Sequence, residues 1–372
     1  MKRKIFILYS ILVLTGLFSG GCKRSEKLLA VGFTEGNEKG MALFDLNTRN
    51  GNLRLITQTD AGANPSFFCF SKDKNLVYVL NEVMDFRGTA TGGVTTVKYD
   101  PIGSAVGKIS EIPVPFGGPC HISSSADGKL LMVASYSSSS VAVVKLGSDG
   151  IPVEVTDTIA FSADAPLVSH PHMIAQDPLA RHVYLTDLGL DRVMLYDLDT
   201  KSGKLIPVPD GEIKIPQGSG PRHFAFNQPG TKMYLINELG STIMVFDADK
   251  EGMLKLNQTV PATAEGYKGN NACAEILISR DSKFLYGSNR GENSIVVFKI
   301  EADGSLTLAG RSTCGGDWPR NFVIDPSGKF LLAGNQRSGD ISVFRINKTT
   351  GLPEGPVAKA AMKGAAYIEF SK

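Results

Sequence analysis

The chain has 372 residues, and its 39 basic and 37 acidic side chains leave a formal charge of only +2. That balance excludes the basic stripe of a nucleic-acid binder and the polybasic patch of a membrane-surface protein. Forty glycines and 19 prolines fit many short strands joined by turns.

The first element in chain order stands apart. Lys2, Arg3 and Lys4 precede an apolar run over 5–18, followed by Ser19, Gly20, Gly21 and Cys22. A basic start, a short apolar stretch and small residues read as a secretory signal peptide. The run is too short for a comfortable membrane span. A cysteine directly after the small residues fits a bacterial lipoprotein signal, with Cys22 lipidated and exposed outside the cytoplasm on a membrane. Ser19 stands where such signals usually carry leucine. Ordinary cleavage beside an incidental cysteine is the alternative. Residues 23–27 would then be a short tether.

From residue 28 onward the chain repeats one unit seven times. An apolar run ends in a turn at Phe33, Asn81, Ser135, Asp187, Asn237, Asn289 and Asn335, at steps of 48, 54, 52, 50, 52 and 46 residues. A second run follows each: MALFDL, VTTVKYD, VAVVKL, VMLYDL, IMVFDAD, IVVFKI and ISVFRI. From the second unit on, a third segment precedes the Asn-ended run, as in SFFCF, HISSS, HMIAQ, HFAFN, AEILIS and NFVID. Turns such as DPSGK (325–329) and SADGK (125–129) join these two segments as antiparallel hairpins. A weaker outer strand, for example LTLAGR (306–311), completes the unit. A period near fifty with four short strands predicts an all-β fold, a seven-bladed β-propeller over 28–372. The first unit lacks its inner segment, and AAYIEFSK (365–372) supplies it, so the C-terminal strand closes the ring.

The blade order also predicts where chemistry gathers. Inner strands start, and Asn-ended strands finish, at one mouth of the channel. His121, His172, Arg222, His223, Glu275 and Arg320 start inner strands, and His170 lies beside them. Asn81-Glu82, Ser135-Tyr136, Asp187, Asn237-Glu238, Asn289-Arg290 and Asn335-Gln336 end the returning ones. The opposite rim receives plain turns, with His182 at a strand start there. Such asymmetry points to a binding site at the first mouth. The bland reading of each histidine is a satisfied strand cap, and of each arginine a staple between blades.

Several motifs carry a family resemblance across 28–370: SHPHM (169–173), TDLGLDRV (186–193), GSGPRHFAFNQPG (218–230), YLINEL (234–239), LYGSNRGENSIVVF (285–298) and WPRNFVIDPSGKFLLAGNQ (318–336). The chain resembles the seven-bladed propeller lactonases, related to bacterial 6-phosphogluconolactonase and to fungal carboxymuconate-lactonizing enzyme. The resemblance implies a catalytic group of His172, Arg222, Glu238 and Arg290, all on the rim that blade geometry picks out. His121, His223, Asp187, Asn289, Glu275 and Arg320 become candidate substrate contacts. Many members carry an Arg-Gln pair where this chain has Ala165-Pro166-Leu167-Val168.

These residue types suit lactone hydrolysis. A neutral histidine takes a proton from water, and arginine forks hold an oxyanion or an anionic substituent. No Ser-His-Asp elbow is visible, so no acyl-enzyme is expected. No cofactor or metal is required, and Cys69, Cys120, Cys273 and Cys314 lack ligand spacing and read as thiols rather than disulfides. The expected partner is a small lactone, and the expected state a monomer. A muconate-type cycloisomerase and a non-catalytic surface propeller that binds carbohydrate or protein are the competing readings.

Overall fold

The computed structural model describes residues 25–33, 40–73, 75–100, 105–161 and 168–371. Cys22, the leader and Ala165–Leu167 lie outside them. The described residues form seven four-stranded antiparallel sheets and no helix. Each sheet runs inner, second, third and outer strand in space as in sequence. Blade 4, for example, contains Pro171–Gln176, Val183–Asp187, Arg192–Asp199 and Lys204–Lys214.

Blade 1 is the exception in connectivity. Its inner strand is Ala365–Phe370, which pairs with Ser25–Gly32 through Leu28↔Phe370 and Ala30↔Ile368. Ala365, Ile368 and Phe370 are buried with Leu28, Ala30 and Phe44 in one cluster shared with blade 7. The ring is therefore closed by hydrogen bonds and by apolar burial at once. One boundary shifts. Residues 25–27, expected as tether, already pair with Asn47, Leu46 and Asp45, and Lys27 Nζ lies 2.9 Å from Asp45 Oδ1.

Burial explains which strands were easy to see. Second and third strands are covered on both faces by neighbouring blades, so they read as unbroken apolar runs; Leu130–Ser135 and Phe330–Asn335 are buried throughout. Outer strands such as Pro353–Ala361 are largely exposed and carry little pattern. A recurring tyrosine then locks blade to blade. Tyr78, Tyr184, Tyr234 and Tyr286 sit mid-strand and donate to the carbonyls of Gly150, Gly252, Gly304 and Gly351 in the hairpin of the next blade, at 2.7–2.9 Å.

The two rims are built differently. At the turn rim, side-chain oxygens accept backbone N–H groups: Asp325 Oδ1 from Phe330 at 2.6 Å, Asn227 Oδ1 from Thr231 at 2.9 Å. At the other rim, the residue before the inner-strand proline turns left-handed in four blades, at Asn64, Gly118, Gly220 and Trp318. Gly118 and Gly220 tolerate this freely, but Trp318 adopts φ 67°. A bulky residue held there marks local strain, and such strain concentrates at functional sites.

Candidate active site

Three of the repeats' terminal amides hold the fold together. Asn81, Asn289 and Asn335 are wholly buried, and their Nδ2 groups donate to the carbonyls of Ala61, Ala262 and Cys314, where outer strands end. Asp187 is equally buried and accepts from Ser169 Oγ at 2.7 Å, His170 N at 2.8 Å and Arg192 Nε at 3.1 Å. Asp187 and Asn289, expected as substrate contacts, are therefore blade staples. A carboxylate or amide with every lone pair engaged inside the fold has nothing left to offer a ligand.

The inner strands sort the remaining candidates into two layers. The register shifts between the first and third residues of the strands beginning at Pro65, Pro119, Pro221 and Pro319, and between the first and fourth, Pro171 and Ile174, in blade 4. Second residues (Ser66, Cys120, His172, Arg222, Arg320) stay at the mouth. Third residues turn into the channel and close it. Phe67 packs 3.8 Å from Tyr367 and 4.5 Å from His121, measured between ring centroids; His121 lies 5.6 Å from His223. His223 Nδ1 is 3.2 Å from Glu275 Oε1, and Asn321 Nδ2 donates to Glu275 Oε2 at 2.7 Å. Below this septum a cavity of about 880 Å³ runs down to Gln228, Ser279 and Arg280 on the turn rim. His121, His223 and Glu275, expected at the mouth, instead form its floor and the roof of that cavity. The cause is the bulge, which strand counting from sequence does not register.

At the mouth, four residues from three blades converge. Arg222 Nε donates to Glu238 Oε2 at 2.9 Å, and Arg290 Nη2 lies 2.6 Å from the same oxygen. Both guanidiniums are fixed further by carbonyls: Arg222 Nη1 to Ala274 at 2.8 Å, Arg290 Nε to Ala272 at 3.1 Å and Nη2 to Cys273 at 3.0 Å. Arg222 is 2% and Arg290 5% exposed, so two cations share one carboxylate in a setting of low dielectric. Burial alone raises the Glu238 carboxyl, but Arg290 and Arg222 outweigh it and hold it below its ordinary value. Burial, with Arg222 beside it, pushes Arg290 down to about 10. His172 sits with its ring 5.0 Å from His223 and 6.0 Å from Tyr136. Burial, then the charge of Arg222, keeps its pKa well below the usual imidazole value, so it is neutral at pH 7. Its Nδ1 is buried and makes no hydrogen bond within the protein. Cys120, next to this cluster, is no nucleophile: burial pushes its thiol up to about 12.

A family model for the seven-bladed β-propeller lactonases matches residues 27–370. The chain belongs to that family. A 6-phosphogluconolactonase of Formosa agariphila is 33% identical to this lactonase, over 89% of this chain and 95% of its own. A 6-phosphogluconolactonase of Erwinia tasmaniensis is 32% identical over 87% and 92%. Among solved structures, a periplasmic gluconolactonase of Pseudomonas aeruginosa superposes with a TM-score of 0.87 at 28% identity, covering 94% of this chain and 99% of its own. The chain is accordingly a carboxylic-ester hydrolase acting on lactones.

In this lactonase the other half of the mouth belongs to blades 7, 1 and 2. Arg320 Nη2 is 3.7 Å from Glu82 Oε2, and its guanidinium lies 5.0 Å from the Phe33 ring. Tyr136 stacks on His170 at 4.2 Å. Arg290 and Arg337 face the Trp318 ring at 5.5 and 3.3 Å. Sequence reasoning puts Glu82 and Tyr136 at this mouth without naming them as contacts, and it does not single out Trp318. For Glu82 a signal existed: it follows Asn81 as Glu238 follows Asn237. The four Cys69, Cys120, Cys273 and Cys314 thiols are unpaired, as expected. Among the described residues, no three His, Cys, Asp or Glu side chains gather to hold a metal ion.

Proposed function

We propose that this lactonase opens a sugar-derived lactone by direct attack of water, with His172, Arg222, Glu238 and Arg290 as its machinery. The observation that carries the reading is the meeting of two buried arginine forks on Glu238 beside a histidine held neutral. His172 accepts a proton from the attacking water as its oxygen bonds to the lactone carbonyl carbon. The carbonyl oxygen becomes an oxyanion, and the N–H groups of Arg222 and Arg290 not spent on Glu238 or on carbonyls stabilise it. Collapse breaks the bond to the ring oxygen, which takes the proton from His172 and leaves as the hydroxyl of a hydroxy acid. Glu238 acts through the arginines: it fixes both forks and offsets one of two positive charges, so the cluster keeps a net attraction for the developing anion.

The similar proteins named for 6-phosphogluconolactone and the periplasmic one named for gluconolactone share the lactone ring and differ in the phosphate. A leader that ends at a lipidated Cys22 places this chain outside the cytoplasm, where unphosphorylated sugar lactones are the available class. Base uptake in a pH-stat with glucono-1,5-lactone tests the reaction. His172→Ala and Glu238→Ala are expected to lower the catalysed rate at least about 100-fold; rates equal to wild type after subtracting spontaneous hydrolysis would sink the proposal. A Cys22→Ala variant that still fractionates with membrane would remove the lipid anchor.

A further inference from the structure

The register of the blades places Ser66 and Glu82 of blade 2 where blade 5 has Arg222 and Glu238: Pro65 pairs with Asn81 as Pro221 pairs with Asn237. The same slot, filled differently, gives different chemistry. Glu238 meets two guanidiniums at 2.9 and 2.6 Å. Glu82 meets one, at 3.7 Å, beyond hydrogen-bond reach, and its buried Oε2 accepts no hydrogen bond. Ser66 is 2% exposed and its Oγ is likewise without a partner. Gln336, which follows Asn335 in blade 7 as Glu82 follows Asn81, has a buried amide oxygen with no donor. Buried polar atoms left unpaired cost about 1–3 kcal/mol each unless a ligand or solvent satisfies them. Here they flank Arg320, whose charge reaches Glu238, Arg290 and His172 on the catalytic side.

We infer that Ser66, Glu82, Arg320 and Gln336 form a subsite for the hydroxyl-bearing, neutral part of the substrate, seating a polyol opposite the catalytic cluster. The inference rests on the lactonase reading and extends it to substrate class. Two acceptors, Glu82 and Gln336, call for hydroxyl donors; Arg320 and the Ser66 hydroxyl call for acceptors. A hydroxyl is both. A phosphate would set a dianion against the Glu82 carboxylate, and a cation would meet Arg320. An apolar group would leave the Ser66, Glu82 and Gln336 oxygens unsatisfied, and a site built to bond hydroxyls discriminates steeply against an analogue lacking them.

The test compares kcat/KM for glucono-1,5-lactone, its 6-phosphate and δ-valerolactone, which has the ring but no hydroxyls. Wild type should prefer gluconolactone to both. Glu82→Ala should cut the gluconolactone-to-valerolactone preference about tenfold or more, through KM, and Glu82→Gln, which keeps an acceptor, should restore part of it. An unchanged preference in Glu82→Ala, or a wild type faster on the phosphate ester, overturns the subsite. If wild type opens none of the three, the lactonase reading fails, and calorimetry with D-glucitol decides the subsite alone: binding lost in Glu82→Ala supports it, and absent or unchanged binding overturns it.

Discussion

Glu238 in blade 5 and Glu82 in blade 2 hold the same place in the repeat, yet one is clamped and the other is left with an unpaired oxygen. Glu238 is locked by arginines from its own blade and from the next. Blade 2 has Ser66 where blade 5 has Arg222, and the cation of Glu82 comes from Arg320, on the far side of blade 1. The difference teaches how a repeat makes an asymmetric site. Seven equal frames offer seven equal slots, and the residues that fill them decide which half of the mouth is clamped charge and which half is left with unpaired polar atoms. In the proposed mechanism, rigidity suits the half that meets a charge appearing only during reaction.

The largest effect should come from removing the inner strand of blade 1, the blade that lies between Arg320 and Glu82. Ending the chain after Gly364 deletes the strand Ala365–Phe370 and exposes the cluster it covers. Burial of its Ile and Phe alone is worth about 1.5–3 kcal/mol each, and the opened edge adds more, so no cooperative thermal transition is expected. A truncated chain that melts like full length would refute closure at blade 1.

Next in size is the clamp. Glu238→Gln strands two buried guanidiniums and should destabilise by about 3–5 kcal/mol, whereas Glu82→Gln should cost no more than about 1 kcal/mol because its ion pair is already loose. Urea titrations of both variants measure the contrast; equal losses would erase the distinction between the halves.

Acid should attack the clamped side and its floor. His121, His172 and His223 all have pKa values lowered, first by burial and then by neighbouring histidine or arginine charge. Each folded value lies below the unfolded one near 6.5, so the unfolded chain takes up protons first. Stability from these groups is present above pH 6.5 and is lost as pH falls below it, by up to about 1.4 kcal/mol per pH unit for each histidine. Activity should follow a different course: kcat/KM should stay flat through pH 6.5, because His172 remains a neutral base there. A drop in rate centred at 6.5 would place His172 in an ordinary, hydrated setting.

The smallest effect comes from making the two slots alike. Ser66→Arg gives blade 2 the residue that blade 5 has at 222. Stability should change by no more than about 1 kcal/mol, while gluconolactone KM rises as the new guanidinium occupies Glu82. An unaltered KM would count against the polyol subsite.

Much of this was legible beforehand. The Asn-ended runs are visible because neighbouring blades cover both faces of those strands, and the return of the C-terminal strand to blade 1 follows from counting segments. The meeting of Arg222 and Arg290 on Glu238 at one mouth was reachable because each sits in a distinctive local motif. Misread were residues whose role depends on direction. Asp187 and Asn289 stand at the right rim but spend their polar atoms on neighbouring strand ends and turns. His121, His223 and Glu275 start inner strands but face down the channel. No spacing rule distinguishes a side chain turned one way from one turned the other by a bulge.

Sequence alone determined the number of blades, the closure of the ring and the mouth at which the charged side chains gather, because periodicity and turn residues act locally and repeat. Only the tertiary structure decided the layering of that mouth. It set two arginines on Glu238 and left Glu82 with one distant cation. Those outcomes depend on distances between blades about fifty or more residues apart in the chain, and Coulomb and hydrogen-bond energies change over an ångström that no sequence pattern encodes.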